Sequence, residues 1–363
     1  MSIATNPSTA GDGLLRVRRS THSPLYTLTG AVAIVLLLSM APWIVPAEWS
    51  TVLMNFFILV TMATMWNLLA GYAGMVSIGQ QAFVGLGAYA TLYFAIKGVN
   101  PFYTIPLAAL TCLVIAYPIT FLLFRLRGGY FAVATWVVAS TASIIIGINS
   151  YLGGGTGHNL PGMPDLAPTP LQHLIYLATF GVALVVVTAT YFLLRSRLGL
   201  VLSSIRDNEV SARSSGTKVT SARRLVFLIA AAGTGAAGAV LAISQTYLQT
   251  GNEFNLQWAA EMLFVSMIGG LGTIEGPILG CVIFFTLQQT LAQQGAWYLI
   301  IFGSVAVLVA LWQPRGLWGA FRDRFHVELL PVGHWVGERK SESRVRRSQR
   351  KEGVLEEEQG PLT

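Results

Sequence analysis

The chain has 363 residues, of which 53% are hydrophobic and only 11% charged, and its formal net charge is +7. A soluble chain carries about 25% charged residues, so an ordinary soluble domain is excluded and a membrane protein is expected. Two cysteines, each inside an apolar run, and five scattered histidines argue against a disulfide framework or an HExxH-type metal centre.

Residues 1–26 read as a polar cytoplasmic tail. Apolar runs follow at roughly 27–46, 50–70, 75–96, 104–124, 129–148, 173–194, 224–247, 258–274, 276–292 and 296–313, each near the roughly 17–25 residues that a membrane-spanning helix needs. The first run has no small-residue cleavage site and nine runs follow it, so it is expected to be an uncleaved span. With the N-terminus inside, 22 of the 23 Lys and Arg residues face the cytosol, and only Lys97 falls outside. Such a positive-inside bias orients a polytopic chain. The expectation is an all-α membrane protein of about ten transmembrane helices, both termini cytoplasmic, with a membrane domain over 27–313. The basic balance is then topogenic, and nucleic acid is not an expected partner.

Two stretches interrupt these runs. "WNLLAGYAGMVSIGQQAFVGLGAYA", residues 66–90, spreads five glycines around Asn67, Ser77, Gln80 and Gln81; "MLFVSMIGGLGTIEGPILG", residues 262–280, gathers Gly269, Gly270, Gly272, Gly276 and Pro277. Irregular backbone at membrane depth is tolerated only where protein or a water-filled cavity satisfies it. A pair of such segments in the two halves of a transporter points to the translocation path; close helix packing by small residues accounts for them equally well. Glu261 and Glu275 are the acids beside the second stretch, and Glu261 is a path candidate because ionisable residues in spans are functional by default. The outer connections 149–170 and 249–257 read either as docking places for an extracytoplasmic partner or as passive links.

The most polar internal stretch is the loop 195–223. Leu198, Val201, Leu202 and Ile205 fall at i, i+3, i+4 and i+7, one stripe of a helix, and Glu209, Ala212 and Gly216 continue along that face. One amphipathic helix along the cytoplasmic surface is expected, ended by Gly216 as a left-handed cap. "GTGAAG" at 233–238 matches a dinucleotide fingerprint in letters only. It lies inside a long uncharged run, where small residues let helices approach. No P-loop or nucleophile elbow occurs. Beyond residue 313 the mixture of basic and acidic blocks reads as a solvated, disordered cytoplasmic tail, 314–363.

"IRDNEVSARSSG" (205–216) resembles the conserved cytoplasmic loop of the branched-chain amino acid permeases of ATP-binding-cassette importers, the LivM-like family, of which urea-type permeases are close relatives. "NLLAGYAGMVSIGQQAFVGLGAYA", "LRGGYFAVATW" (126–136) and "MIGGLGTIEGPILG" agree with it in the same order. The resemblance implies that Arg206, Asp207, Asn208, Glu209, Ala212 and Gly216 are coupling-helix positions that insert into an ATPase subunit. It implies as partners a second permease subunit, two cytoplasmic ATPases that hold the ATP and Mg, and a solute-binding protein, in the bacterial inner membrane. This chain itself is then no enzyme and binds no cofactor. Gln80 stands where the family more often has His, and Asp207 where it has Glu; Gln80 cannot titrate as His does. Branched-chain or other hydrophobic amino acids are the implied solutes, with urea or short amides as the alternative. An ion-coupled secondary transporter is the alternative from another class. It would ordinarily place acids or histidines at mid-membrane, and the spans between Thr27 and Ile96 and between Leu225 and Leu248 contain none.

Overall fold

The computed structural model describes residues 17–18, 24–126, 128–291, 297–313, 316–325 and 335–336. Arg16, Arg19, Arg127 and most of both tails lie outside them, including the greater part of the expected disordered tail. The tails, 1–26 and 331–363, form one unit, within which β1 (Val17–Arg18) and β4 (Trp335–Val336) pair antiparallel. The second unit, 27–330, holds the helical body.

Every expected apolar run coincides with a helix. In chain order these are α1 (Pro24–Ile44), α2 (Ala47–Asn67), α3 (Gln81–Ile96), α4 (Pro101–Leu123), α5 (Gly129–Gly147) and α6 (Pro168–Arg195). The polar loop folds as α7 (Arg197–Asp207) and α8 (Glu209–Ser214). Then follow α9 (Val219–Gln245), the short α10 (Thr250–Glu253), α11 (Leu256–Gly269), α12 (Glu275–Leu291), α13 (Trp297–Trp312) and α14 (Gly316–Phe325). Among the described residues five helical stretches are long and apolar enough to cross a membrane: Ala47–Tyr72, α4, α5, α6 and α9. The chain is an α-helical membrane protein.

The centre is built by α2 and α9, whose spanning windows are 78% and 72% buried against 22% and 17% for α4 and α5. Ile58, Met62 and Trp66 of α2 meet Val84 of α3, Ala237, Val240 and Leu241 of α9, and Met262 of α11 in one cluster. The peripheral helices turn Leu110, Val114, Val133, Val137 and Ile144 outward, an apolar exterior that lipid solvates. The 233–238 glycines serve close approach: a Cβ on Gly235 would stand 2.5 Å from the Cys112 sulfur of α4. Cys112 and Cys281 are both buried and free.

Three expectations are corrected. The run 75–96 is helical only from Gln81, because Gly74 takes a left-handed φ of +67° and residues 73–80 make local turns instead. The ledge expected as one helix is two, since Asn208 is extended (φ −158°, ψ 105°) and caps the second, its Oδ1 accepting from the Ser211 N–H at 3.0 Å. Residues 316–325, expected in the solvated tail, form α14, and its first residue packs on Gly270 and Met267.

Candidate functional site: a ledge tied to two interrupted segments

The first interrupted segment opens where α2 widens into a π-turn, Leu68–Tyr72, a distortion frequently found at functional sites. The chain then runs irregularly to Gln80. Protein groups satisfy part of it: Trp66 Nε1 donates to the Ser77 carbonyl at 2.8 Å, and the Ile78 N–H donates to Thr135 Oγ1 at 3.2 Å. Thr135 belongs to "LRGGYFAVATW", so that motif buttresses the first one. Asn67 joins the two interrupted segments. Its Nδ2 donates to the Thr273 carbonyl at 2.7 Å, and its Oδ1 accepts from the Gly272 N–H at 2.9 Å. Gly71 and Gly272 touch backbone to backbone there, and Gly272 has φ +75°. A side chain on either would separate the segments.

Gln80 is fully buried; its Nε2 donates to Thr234 Oγ1 of α9 at 3.0 Å, while its Oε1 and that of buried Gln81 accept nothing. Ser77 is buried, and its Oγ accepts from the Gly79 N–H at 3.3 Å. Gly269 and Gly270 are buried in backbone contact with Gly276 at the start of α12. Glu261 is buried in α11 and accepts from Gln257 Nε2 at 2.7 Å, one turn away and apart from the Asn67 junction.

At this same end, where α2 closes and α9 begins, lies the ledge. Ile205 and Ala212 are buried and Val201 is half-buried, packing with Val219 and Ala222 of α9, and Leu202 is buried too, so the predicted stripe faces the protein's own body. Asp207 closes α7, and Gly216 turns the chain with φ +78° after α8. Arg206 is exposed overall, yet its guanidinium lies against the second segment: a Cβ on Gly272 would stand 2.8 Å from Nη1. Glu209 pairs with Arg213 at 2.6 Å and with Arg223 of α9 at 3.0 Å. Partial burial pushes the Glu209 carboxyl up, but the hydrogen bond from Arg213 and the charge of Arg223 outweigh it and hold it below its ordinary value. Arg223 then reaches inward, its Nε donating to the Ala73 carbonyl at 3.2 Å, just after the π-turn. A cleft of about 270 Å³ beside α8 is lined by Arg213, Lys218 and Thr217 among others.

Thus the ledge touches both interrupted segments, each through one arginine. Arg223 escaped sequence reasoning because its acceptor is a backbone carbonyl 150 positions away.

Apolar helices, an ordered charged ledge and paired interrupted segments define a membrane transport subunit. Residues 48–310 match the family described as branched-chain amino acid transport system / permease component. The chain belongs to this family of ATP-binding-cassette transport permeases. It is 26% identical over 280 residues to the high-affinity branched-chain amino acid transport system permease protein LivM of Salmonella typhimurium, and 25% identical over 281 residues to that of Escherichia coli. Each match covers 69% of this chain and 65% of the relative, so the chain spans about two thirds of these relatives' length. The ribose import permease protein RbsC of Escherichia coli is 28% identical over 158 residues, 41% of this chain and 46% of its own. No solved structure matches.

Proposed function

We propose that the chain is the transmembrane permease subunit of an ATP-driven importer for branched-chain or other hydrophobic amino acids, in the bacterial inner membrane. It crosses about ten times, with both termini cytoplasmic. It works with a second permease subunit, two ATPases that bind and hydrolyse ATP, and a solute-binding protein. Broader coverage by the LivM relatives (69% of the chain) than by RbsC (41%) favours amino acids over a sugar.

The observation that carries the reading is the double tie from ledge to path, Glu209–Arg223–Ala73 and Arg206–Gly272. When ATP closes the ATPase pair, α7 and α8 move with it and drag both interrupted segments. Swinging a two-state element from 1:99 to 99:1 needs about 5.5 kcal/mol of differential energy. A hydrogen bond to a charged group contributes about 1.5–3 kcal/mol, so a few such ties are of the required size. Asn67 keeps the segments moving as one, and Gln80 and Ser77 line the path between the states.

The test is reconstitution. The chain, assembled with its ATPases, companion permease and binding protein in proteoliposomes, takes up leucine only when ATP is supplied. Uptake by the chain alone on an ion gradient would establish a secondary transporter instead, and ATP-driven uptake of urea but not leucine would move the substrate class.

A further inference from the structure

At the end of α9 opposite the ledge, the chain turns through Thr246, whose φ of +59° is left-handed, and enters β3 (Tyr247–Leu248). That strand pairs antiparallel with β2 (His158–Asn159) of the 149–170 connection. The next turn, α10, packs against α3, α5 and the Gly154–Thr156 turn. Phe254 sits on Gly85, where a Cβ would stand 2.5 Å from its ring, and stacks on Tyr89 with centroids 6.1 Å apart.

This packing shuts Glu253 away from solvent entirely, and neither carboxylate oxygen accepts a hydrogen bond. The Tyr89 hydroxyl, in electrostatic reach of Glu253, is likewise buried and unpartnered. Among the described residues no cation pairs with this carboxylate. Lys97 is the one Lys or Arg that the expected topology places on this side, and its ammonium lies over the Tyr93 and Tyr151 rings, 5.8 and 5.6 Å from their centroids. Burial pushes the Glu253 carboxyl up to about 7. A buried acid is costly unless it is neutralised or paired. A buried carboxyl and a buried hydroxyl, neither with a hydrogen-bond partner among the described residues, stacked aromatic rings beside them, and apolar walls from Leu152, Leu160 and Leu248 make a setting for an organic cation with a hydrocarbon body.

We propose that Glu253 and Tyr89 form a receiving site for the ammonium group of amino-acid cargo at the end of the permease opposite the coupling ledge. The inference rests on the amino-acid reading above. The glutamate carboxylate and the tyrosine oxygen accept the ammonium hydrogens as α10 shifts to admit the solute.

The test uses the full-length chain in membrane vesicles, treated with a lipid-soluble carbodiimide that modifies buried protonated carboxyls. The Glu253 peptide is then read by mass spectrometry, with Glu253→Gln as the unlabelled reference. L-leucine and methylammonium should slow modification about twofold or more, by mass action at a half-saturated or fuller site. 4-Methylpentanoate, which lacks the amine, and sodium chloride should not. Indifference to both amines, equal slowing by 4-methylpentanoate, slowing by sodium, or failure of Glu253 to react at all would overturn the site. Protection without ATP-driven leucine uptake by the assembled transporter would leave the site standing and sink the importer reading; uptake without protection would do the reverse.

Discussion

Arg223 Nη1 lies 3.0 Å from the Glu209 carboxylate, and the same guanidinium donates through Nε to the Ala73 carbonyl at 3.2 Å. One side chain therefore touches the ledge and the first interrupted segment at once. Arg223→Gln should keep the protein in the membrane but lower ATP-driven uptake about tenfold or more, with ATPase turnover largely retained. Arg223→Lys should fall between, because an ammonium keeps the ion pair but cannot place two donors in a rigid fork. Uptake and ATP hydrolysis measured on the same proteoliposomes check this.

Asn67 bonds both Gly272 and Thr273. Asn67→Leu leaves a part-buried N–H and C=O unsatisfied, each costing about 1–3 kcal/mol. The melting temperature of the detergent-solubilised chain should drop, and Asn67→Asp, which keeps the acceptor for Gly272, should drop less.

Gln80 is held by Thr234 on α9 with its Oε1 free to accept. Gln80→Leu together with Ser77→Val should alter the concentration dependence of uptake while leaving the melting temperature within a few degrees. Transport kinetics indistinguishable from wild type would remove both residues from the path.

The two acids respond oppositely to pH. Glu209 is held below its ordinary value, so its contribution is fully present above the unfolded value of about 4.3 and lost only as pH falls through the still lower folded value. Coupling should be insensitive to Glu209 titration from pH 6 to 8. Glu253 is raised from 4.5 to about 7, so the folded chain holds a proton that the unfolded chain releases in that window. Stability therefore falls as pH rises from 4.5 and levels above 7, by at most about 3 kcal/mol. Tyr89 on α3 faces Glu253, Tyr247 on β3 faces Tyr89, and α5 and the Gly154–Thr156 turn bring no titratable group to this end. Melting curves at pH 5 and 8 should differ, and Glu253→Gln should flatten the difference.

Much of the helical body was legible in the amino-acid order, because a run such as 224–247 must be long and apolar to cross lipid. Its boundaries were less so. Gly74 and Asn208 each break a helix by a local backbone choice that hydrophobic periodicity does not register. The ledge positions Arg206, Glu209 and Ala212 stood out through periodicity and a family resemblance, but their inward partners did not. Arg223 acts on a carbonyl, which carries no letter, and Gly272 receives Arg206 only through tertiary proximity. Glu253 lay in a short polar connection that read equally as a docking place or a passive link; its burial is made by Phe254 and Gly85, far apart in sequence from the 149–170 connection that packs on α10.

The central claim is that the ledge transmits ATPase motion to the path through its charges. The most direct measurement is leucine uptake and binding-protein-stimulated ATPase activity of the assembled transporter carrying Arg206→Glu and Glu209→Arg together. Normal membrane levels, uptake lowered about tenfold or more, and ATP turnover no longer tied to the binding protein are predicted. Wild-type uptake with normally stimulated ATP turnover in that double variant would contradict it.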